Sequence, residues 1–171
     1  VMIARFLLPR ADCVRVVSER IKKSIMSFTK APIEILPIFT DTEAMKHTHP
    51  MTNLHKKYQQ FEKIILMVSR LEPEKNIPLA LRVFADILKK YPRIGLVIVG
   101  DGGQKQQLMF YVSCLMLHKN VIFEGWQDNL APYYKTADIF LQTSNYEGYG
   151  LALVEAYAAG LPIVTTDVGV V

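Results

Sequence analysis

Two carboxylates bracket a glycine-rich turn in Glu147-Gly148-Tyr149-Gly150-Leu151-Ala152-Leu153-Val154-Glu155. Were the whole segment helical, Glu147 and Glu155 would project roughly 80° apart around the axis and two turns apart, poorly placed to share one small ligand. Gly148 and Gly150 argue instead for a tight loop, with Glu147 at its rim and Glu155 in the second turn of the following helix. The start of that helix would offer unpaired N–H groups and the positive end of its dipole, which suit a phosphate. Carboxylates touching the phosphate would be repelled, so they are better placed to accept hydrogen bonds from hydroxyls on either side, as a sugar and a ribose supply. The spacing points to a sugar nucleotide. The plainer alternative is a solvated loop glutamate and an ordinary helix glutamate.

Ser69-Arg70-Leu71-Glu72-Pro73-Glu74-Lys75 follows a strongly apolar run. Arg70 as a bidentate donor and Lys75 as a point charge can converge on one diphosphate. Alternatively, Lys75 pairs with Glu72 or Glu74 in solvent. Gly100-Asp101-Gly102-Gly103 also follows an apolar run and permits close approach of backbone to ligand, but it lacks the third glycine of the dinucleotide fingerprint. Trp126, the single tryptophan, follows Gly125 and reads equally well as core or as ligand contact.

Hydrophobic periodicity supplies the elements that would hold these residues. Cys13 to Val17 reads as a strand, Ser18 as a cap, Glu19 to Phe28 as a helix and Ile33 to Ile38 as a strand. Residues 40–62 are polar, contain His49-Pro50 and lack a sustained period, as a linker would. Ile64 to Ser69 resembles a strand buried on both faces, and Pro78 opens a helix that Pro92 stops. Leu96 to Val99, Val121 to Phe123, Ile139 to Gln142 and Ile163 to Thr165 read as strands. Gln104 to Leu117, Leu130 to Tyr134 and Leu151 to Ala159 read as helices, the last closed by Gly160. Strand–helix alternation predicts an α/β fold with a Rossmann-like parallel sheet and helices on both faces. The loops that start at Arg70, Gly100, Gly125 and Thr143 should then share the carboxyl rim.

A length of 171 residues fits about one domain, and 50% hydrophobic with 21% charged residues excludes a disordered or low-complexity chain. The longest apolar runs, Ile64 to Val68 and Leu96 to Val99, fall far short of the ~20 residues of a membrane span. Residues 1–63 hold 11 Lys and Arg against 6 Asp and Glu, and the remainder is close to neutral. This split reads either as a basic face for anionic lipid or an acidic partner, or as an ordinary solvated surface. Cys13 and Cys114 stand among apolar residues without Cys-x-x-Cys spacing, which predicts buried free thiols and a reducing compartment. The sequence opens on Val1 and closes on Val168-Gly169-Val170-Val171, which reads as an element cut short, so further sequence is expected at both ends.

Glu147 to Glu155, continued by Ala156-Tyr157-Ala158-Ala159-Gly160-Leu161-Pro162-Ile163-Val164-Thr165-Thr166-Asp167-Val168-Gly169, closely resembles the E-x7-E segment of retaining GT-B glycosyltransferases of family 4. Arg70-Leu71-x-x-x-Lys75, Val99-Gly100-Asp101-Gly102, Phe123-Glu124-Gly125 and Ala137-Asp138-Ile139-Phe140-Leu141 occur in that family's order. Upstream, Ala11-Asp12-Cys13-Val14, Ser18-Glu19 and Ile35-Leu36-Pro37 look like the end of its N-terminal, acceptor-binding domain.

The resemblance implies the C-terminal half of a GT-B fold. It divides the chain into a remnant of the acceptor domain at 1–38, a linker at 39–62 and a donor nucleotide-sugar domain at 63–171. It further implies that Arg70 and Lys75 bind the donor diphosphate, Glu147 the donor sugar and Glu155 the ribose hydroxyls. Gly148, Tyr149, Gly150 and Leu151 would face sugar and phosphates, Gly100 and Gly102 would line the nucleotide, and Trp126 would lie beside the base. The donor would be a UDP-sugar or GDP-sugar and the acceptor an unidentified glycan, lipid or small-molecule hydroxyl. No cofactor, metal or nucleic acid is implied, and the location would be cytoplasmic with peripheral membrane contact as an option. The chain by itself would bind nucleotide without turnover. A nucleotide-sugar epimerase and a non-catalytic partner subunit are the alternative readings.

Three positions depart from the family pattern: Ser69 replaces a glycine, Pro37-Ile38-Phe39-Thr40-Asp41 replaces a Pro-Asn-Gly-x-Asp turn, and Val170 replaces a second glycine. None of His47, His49, His55 or His118 matches the context of the family's catalytic-site histidine, so all four read as surface or linker residues. Asp41-Thr42-Glu43 resembles an acidic metal pair only superficially.

Overall fold

The computed structural model describes residues 2–39 and 53–169. His47, His49, Asp41-Thr42-Glu43, Val170 and most of the expected linker lie outside them. The described chain divides into two units, one built from residues 2–39, 146–151 and 167–169, the other from 53–145 and 152–166.

The larger unit is a parallel sheet. Its strands are β3 (Lys63–Val68), β4 (Ile94–Val99), β5 (Val121–Gly125), β6 (Ile139–Gln142) and β7 (Ile163–Thr165), in the spatial order β5-β4-β3-β6-β7. Every pairing is parallel, and β3 and β4 run in full register from Lys63↔Ile94 to Val68↔Val99. The sheet is central because β4 is buried at every position, as its unbroken apolar run requires. Successive residues serve opposite faces. Leu96 and Ile98 join Phe84, Leu81 and Leu108 on one side, and Val97 and Val99 join Leu54, Tyr134 and Leu153 on the other. Each such large side chain contributes about 1.5–3 kcal/mol on leaving water.

Helices cover both faces, so the expected Rossmann-like architecture is observed. Helix α4 (Ile77–Leu88) carries Pro78 in its first turn and buries Ile77, Ala80, Leu81 and Phe84 at helical spacing. Helix α5 (Lys105–Cys114) contributes Leu108 and Val112 to the same face. Helices α6 (Ala131–Thr136) and α7 (Leu151–Ala158) cover the opposite one, with Gly160 at φ +74 just beyond α7.

The polar segment expected to be linker differs in part. Residues 53–62 contain helix α3 (Leu54–Lys57), capped by Asn53, whose side chain accepts from Lys56 N. Leu54 and Phe61 are 1% and 5% exposed and lie in the core. Two buried anchors, with Tyr58 packed partly against the same cluster, dock a short segment that is otherwise polar, a pattern with no period to read.

The smaller unit holds α1 (Met2–Leu7), which the sequence reading did not anticipate, together with β1 (Val14–Val16), α2 (Glu19–Ile25) and β2 (Ile33–Ile35). β1 and β2 pair in parallel from Val14↔Ile33 to Val16↔Ile35. Ser18 caps α2 as expected: its Oγ accepts from Ile21 N at 3.4 Å and donates to Gly148 O at 3.1 Å. Arg20 donates to the Asp167 backbone carbonyl at 2.8 Å and pairs with its carboxylate. The cysteines correct the expectation of burial. Both are free, as expected, but Cys13 and Cys114 are exposed, because β1 is a short two-stranded edge and Cys114 ends α5 on its solvent side.

Candidate functional site

Parallel register places the carboxyl ends of β3, β4 and β5 side by side, and backbone hydrogen bonds tie together the loops that leave them. Ser69 N donates to Val99 O at 3.0 Å, Leu71 N to Asp101 O at 2.9 Å, and Gly100 N to Gly125 O at 2.8 Å. This closeness dictates the glycines. Gly100 sits at φ +129, and a Cβ there would meet Ser69 O at 2.0 Å, while one on Gly102 would lie 2.7 Å from Leu71 N. Glu72 and Asp101 brace the turn, accepting from Gly103 N at 3.0 Å and Gly102 N at 2.8 Å.

A cavity of about 300 Å³ opens at this rim, lined by Val68, Arg70, Gly100, Trp126, Gln127 and Asp128. Three residues singled out in the sequence, Arg70, Gly100 and Trp126, therefore meet. Trp126 is 70% exposed, which settles its two readings against the core. Its indole N–H donates to Asp128 Oδ1 at 3.0 Å. The Arg70 guanidinium is largely exposed and donates to Glu74 at 2.9 Å, so a charged group stands ready at the mouth, held by an i,i+4 pair.

Lys75 ends the 3-10 turn Pro73–Lys75 and lines a narrow crevice with Ser69, Gln142, Thr143 and Ser144 between the ends of β3 and β6. The Thr143 hydroxyl lies 3.2 Å from Lys75 O and 3.1 Å from Asn76 O, the main chain it braces. Ser69 Oγ and Gln142 Nε2 are buried without a hydrogen-bond partner, groups a bound polar atom or water would satisfy.

Glu155 lies on α7, as expected, where Tyr134 donates to its Oε2 at 2.8 Å. Burial raises the Glu155 carboxyl above its usual range, and the tyrosine hydrogen bond offsets part of the rise. Tyr134 is itself 1% exposed. Sequence reasoning missed Tyr134, because nothing in a separation of 21 positions marks the two as neighbours.

Glu147, Gly148, Tyr149, Gly150 and Leu151 belong to the smaller unit. There Gly150 has φ +89, as the predicted tight loop requires, and Gly169 at φ +70 packs so that a Cβ would meet Tyr149 O at 2.6 Å. Tyr149 and Gly169 line a cavity of about 660 Å³ with Val17, Ser18, Arg20 and Lys23.

Of the remaining histidines, His55 lies 3.0 Å from Asp138, which also accepts from Lys63 Nζ at 2.7 Å and Ile64 N at 2.8 Å. This cluster lies at the amino end of β6, whereas the cavity opens at the carboxyl ends of β3, β4 and β5. Among the described residues no group of three His, Cys, Asp or Glu side chains gathers as a metal site would. No helix among them is long and apolar enough to cross a membrane.

The parallel sheet with its flanking helices matches the fold of GT-B glycosyltransferase structures. The chain belongs to the glycosyl transferases group 1 family, which matches residues 51–171. It is 34% identical over 154 residues to the alpha-monoglucosyldiacylglycerol synthase of Streptococcus pneumoniae, covering 84% of this chain and 35% of that protein. It is 30% identical over 168 residues to the N-acetyl-alpha-D-glucosaminyl L-malate synthase of Bacillus anthracis, covering 96% of this chain and 44% of that protein. The chain thus spans less than half the length of either relative. Among solved structures, a mutant of S. aureus TarM in complex with fondaparinux, alpha-GlcNAc-glycerol and UDP matches with a TM-score of 0.80 and 25% identity, covering 96% of this chain and 31% of that one. Anabaena HepE in complex with UDP and glucose matches with a TM-score of 0.84 at 22% identity, covering 98% and 48%.

Proposed function

We propose that the chain carries the donor-binding part of a retaining glycosyltransferase, which moves a sugar from a nucleoside diphosphate sugar to a hydroxyl acceptor. The observation that carries this reading is the cavity at the carboxyl edge of the sheet, where Arg70, Gly100 and Trp126 converge. UDP is the favoured carrier, since the TarM and HepE structures are complexes with it. When the bond between the anomeric carbon and the diphosphate breaks, negative charge collects on the leaving oxygen. Arg70 and Lys75 are assigned to stabilise that charge. Glu155, with Oε2 fixed by Tyr134, keeps its other oxygen for ribose hydroxyls. By the family resemblance, Gly102 and the backbone of Gly148 to Leu151 are assigned to the donor, and Glu147 to hydroxyls of the transferred sugar. No metal has a role in this scheme.

Calorimetric titration with UDP and with GDP, each with and without EDTA, tests the reading. UDP is expected to bind with an affinity indifferent to EDTA and weakened by added salt. An absolute requirement for Mg²⁺ overturns the metal-free scheme, and failure of both nucleotides to bind overturns the donor assignment.

A further inference from the structure

Behind the cavity lies a carboxylate that the scheme above does not use. Glu124 is the penultimate residue of β5, just before Gly125 and Trp126, and its side chain is only 6% exposed. Lys57 Nζ donates to both of its oxygens at 2.7 Å, Tyr133 donates at 3.1 Å, and Tyr58 donates to Oε1. Its donors come from either side of it in sequence: Lys57 and Tyr58 at the end of α3, Tyr133 from α6.

A charge withdrawn from water costs several kcal/mol unless partners compensate, and an apolar residue would fill the same space without that cost. Burial alone would raise the Glu124 carboxyl, yet the hydrogen bonds from Lys57, Tyr58 and Tyr133 outweigh it and hold the group below its ordinary range. The carboxylate is therefore charged and fully committed, and what it fixes is the segment that follows. Gln127 Nε2 donates to the Glu124 carbonyl at 3.0 Å, closing the turn, and Gly125, at φ +72, accepts from Gly100 N. Residues 124–128 are thus pinned to β4 by backbone and to α3 and α6 by one side chain. Trp126, Gln127 and Asp128 from that segment form one wall of the cavity.

We infer that Glu124 is a positioning residue: through Lys57, Tyr58 and Tyr133 it sets the wall that Trp126, Gln127 and Asp128 present to the donor nucleotide. The consequence for nucleotide affinity rests on the donor-binding reading; the consequence for the wall does not.

Because Trp126 is the single tryptophan, its fluorescence reports the wall directly. Glu124→Gln, Tyr58→Phe and Asp138→Asn are compared with the unaltered protein well below each melting temperature. Asp138→Asn is the matched control for general loosening of α3, since Asp138 is a partly buried carboxylate with comparable partners, one of them His55 on that same helix, and its partners Lys63, Ile64 and His55 all lie outside residues 124–128. Time-resolved anisotropy without ligand is expected to show faster local motion of Trp126 in Glu124→Gln, and to a smaller degree in Tyr58→Phe. Asp138→Asn should leave it unchanged. UDP affinity, followed by quenching of Trp126, is expected to fall about tenfold in Glu124→Gln and to stay unchanged in Asp138→Asn. Unaltered Trp126 motion in both Glu124→Gln and Tyr58→Phe overturns the inference whether or not UDP binds. Equal loss of affinity in Glu124→Gln and Asp138→Asn also overturns it, because the effect would then be general loosening. If the unaltered protein fails to bind UDP, the donor reading falls, and the anisotropy comparison still decides the role of Glu124.

Discussion

Tyr134 donates its hydroxyl to Glu155 Oε2 at 2.8 Å, joining a fully buried phenol on α6 to a half-buried carboxylate on α7. The pairing sets stability against binding. Burial raises the folded-state pKa of Glu155, so its contribution is complete below the unfolded carboxyl value, about 4.3, and is lost as pH rises through the folded value. At neutral pH the ionised group therefore costs stability. Glu155→Gln is expected to raise Tm at pH 7.5 by roughly 1–4 °C while weakening UDP binding. Scanning calorimetry and a UDP titration check the two halves, and a fall in Tm with unchanged affinity contradicts both.

Glu147 should behave differently, since its assigned contact is with the transferred sugar. In a full-length enzyme Glu147→Gln is expected to leave UDP affinity intact and to lower turnover of the sugar donor. Losses of UDP affinity equal to those in Glu155→Gln would contradict the division of roles.

Arg70 is held at the cavity mouth by Glu74, and binding a diphosphate requires the guanidinium to exchange that partner. Arg70→Ala is expected to weaken UDP binding by about 1.5–3 kcal/mol through loss of a charge-assisted contact. Glu74→Gln removes the competitor, so it should leave affinity unchanged or tighten it. Calorimetry on both variants at low and high salt provides the check, and a weaker Glu74→Gln would place the carboxylate among the groups that help the nucleotide bind.

Asp138 offers a pH signature of the opposite sign to Glu155. Burial alone would raise its pKa, but Lys63, the Ile64 N–H and His55 hold it below its ordinary range. A lowered folded value means stability present above the unfolded carboxyl value, about 3.9, and lost as pH falls through the folded one. Asp138→Asn is expected to cost about 1.5–3 kcal/mol at pH 7 and progressively less toward pH 3, as read from urea unfolding curves. A loss constant with pH would show that the carboxylate charge contributes nothing.

What the sequence disclosed and what it hid divide along one line, that of separation. Elements with their own period were legible, among them α4 with Phe84 and β4 with its unbroken apolar run, and so was the parallel sheet they require. The glycines at 100, 102 and 150 were legible for the same reason, since a glycine reports its own backbone. Contacts were not legible. The Glu124 cluster joins residues 66 and 67 positions apart, and the anchors Leu54 and Phe61 look like isolated apolar residues in a polar tract until the sheet gives them a surface. The cysteines failed similarly, because apolar neighbours in sequence at Cys13 and Cys114 do not make a core around the thiols.

The basic split at 1–63 yields a last prediction, on lipid. Within that stretch Arg20, Lys22 and Lys23 stand together on α2, but Arg20 is bound to the carboxylate and backbone of Asp167. That pairing neutralises one of the three charges, leaving Lys22 and Lys23, the latter exposed beside the exposed apolar Met26. Each cation near an anionic surface is worth about 1 kcal/mol, so two lysines support only weak, salt-sensitive attachment. Asp167→Asn should then release Arg20 and strengthen co-sedimentation with phosphatidylserine-containing vesicles at low salt, whereas Lys22→Gln with Lys23→Gln should abolish it. Neutral phosphatidylcholine vesicles serve as the blank. Absence of sedimentation at low salt, or indifference to all three substitutions, leaves the lysines as an ordinary solvated surface and assigns the basic split no role in membrane contact.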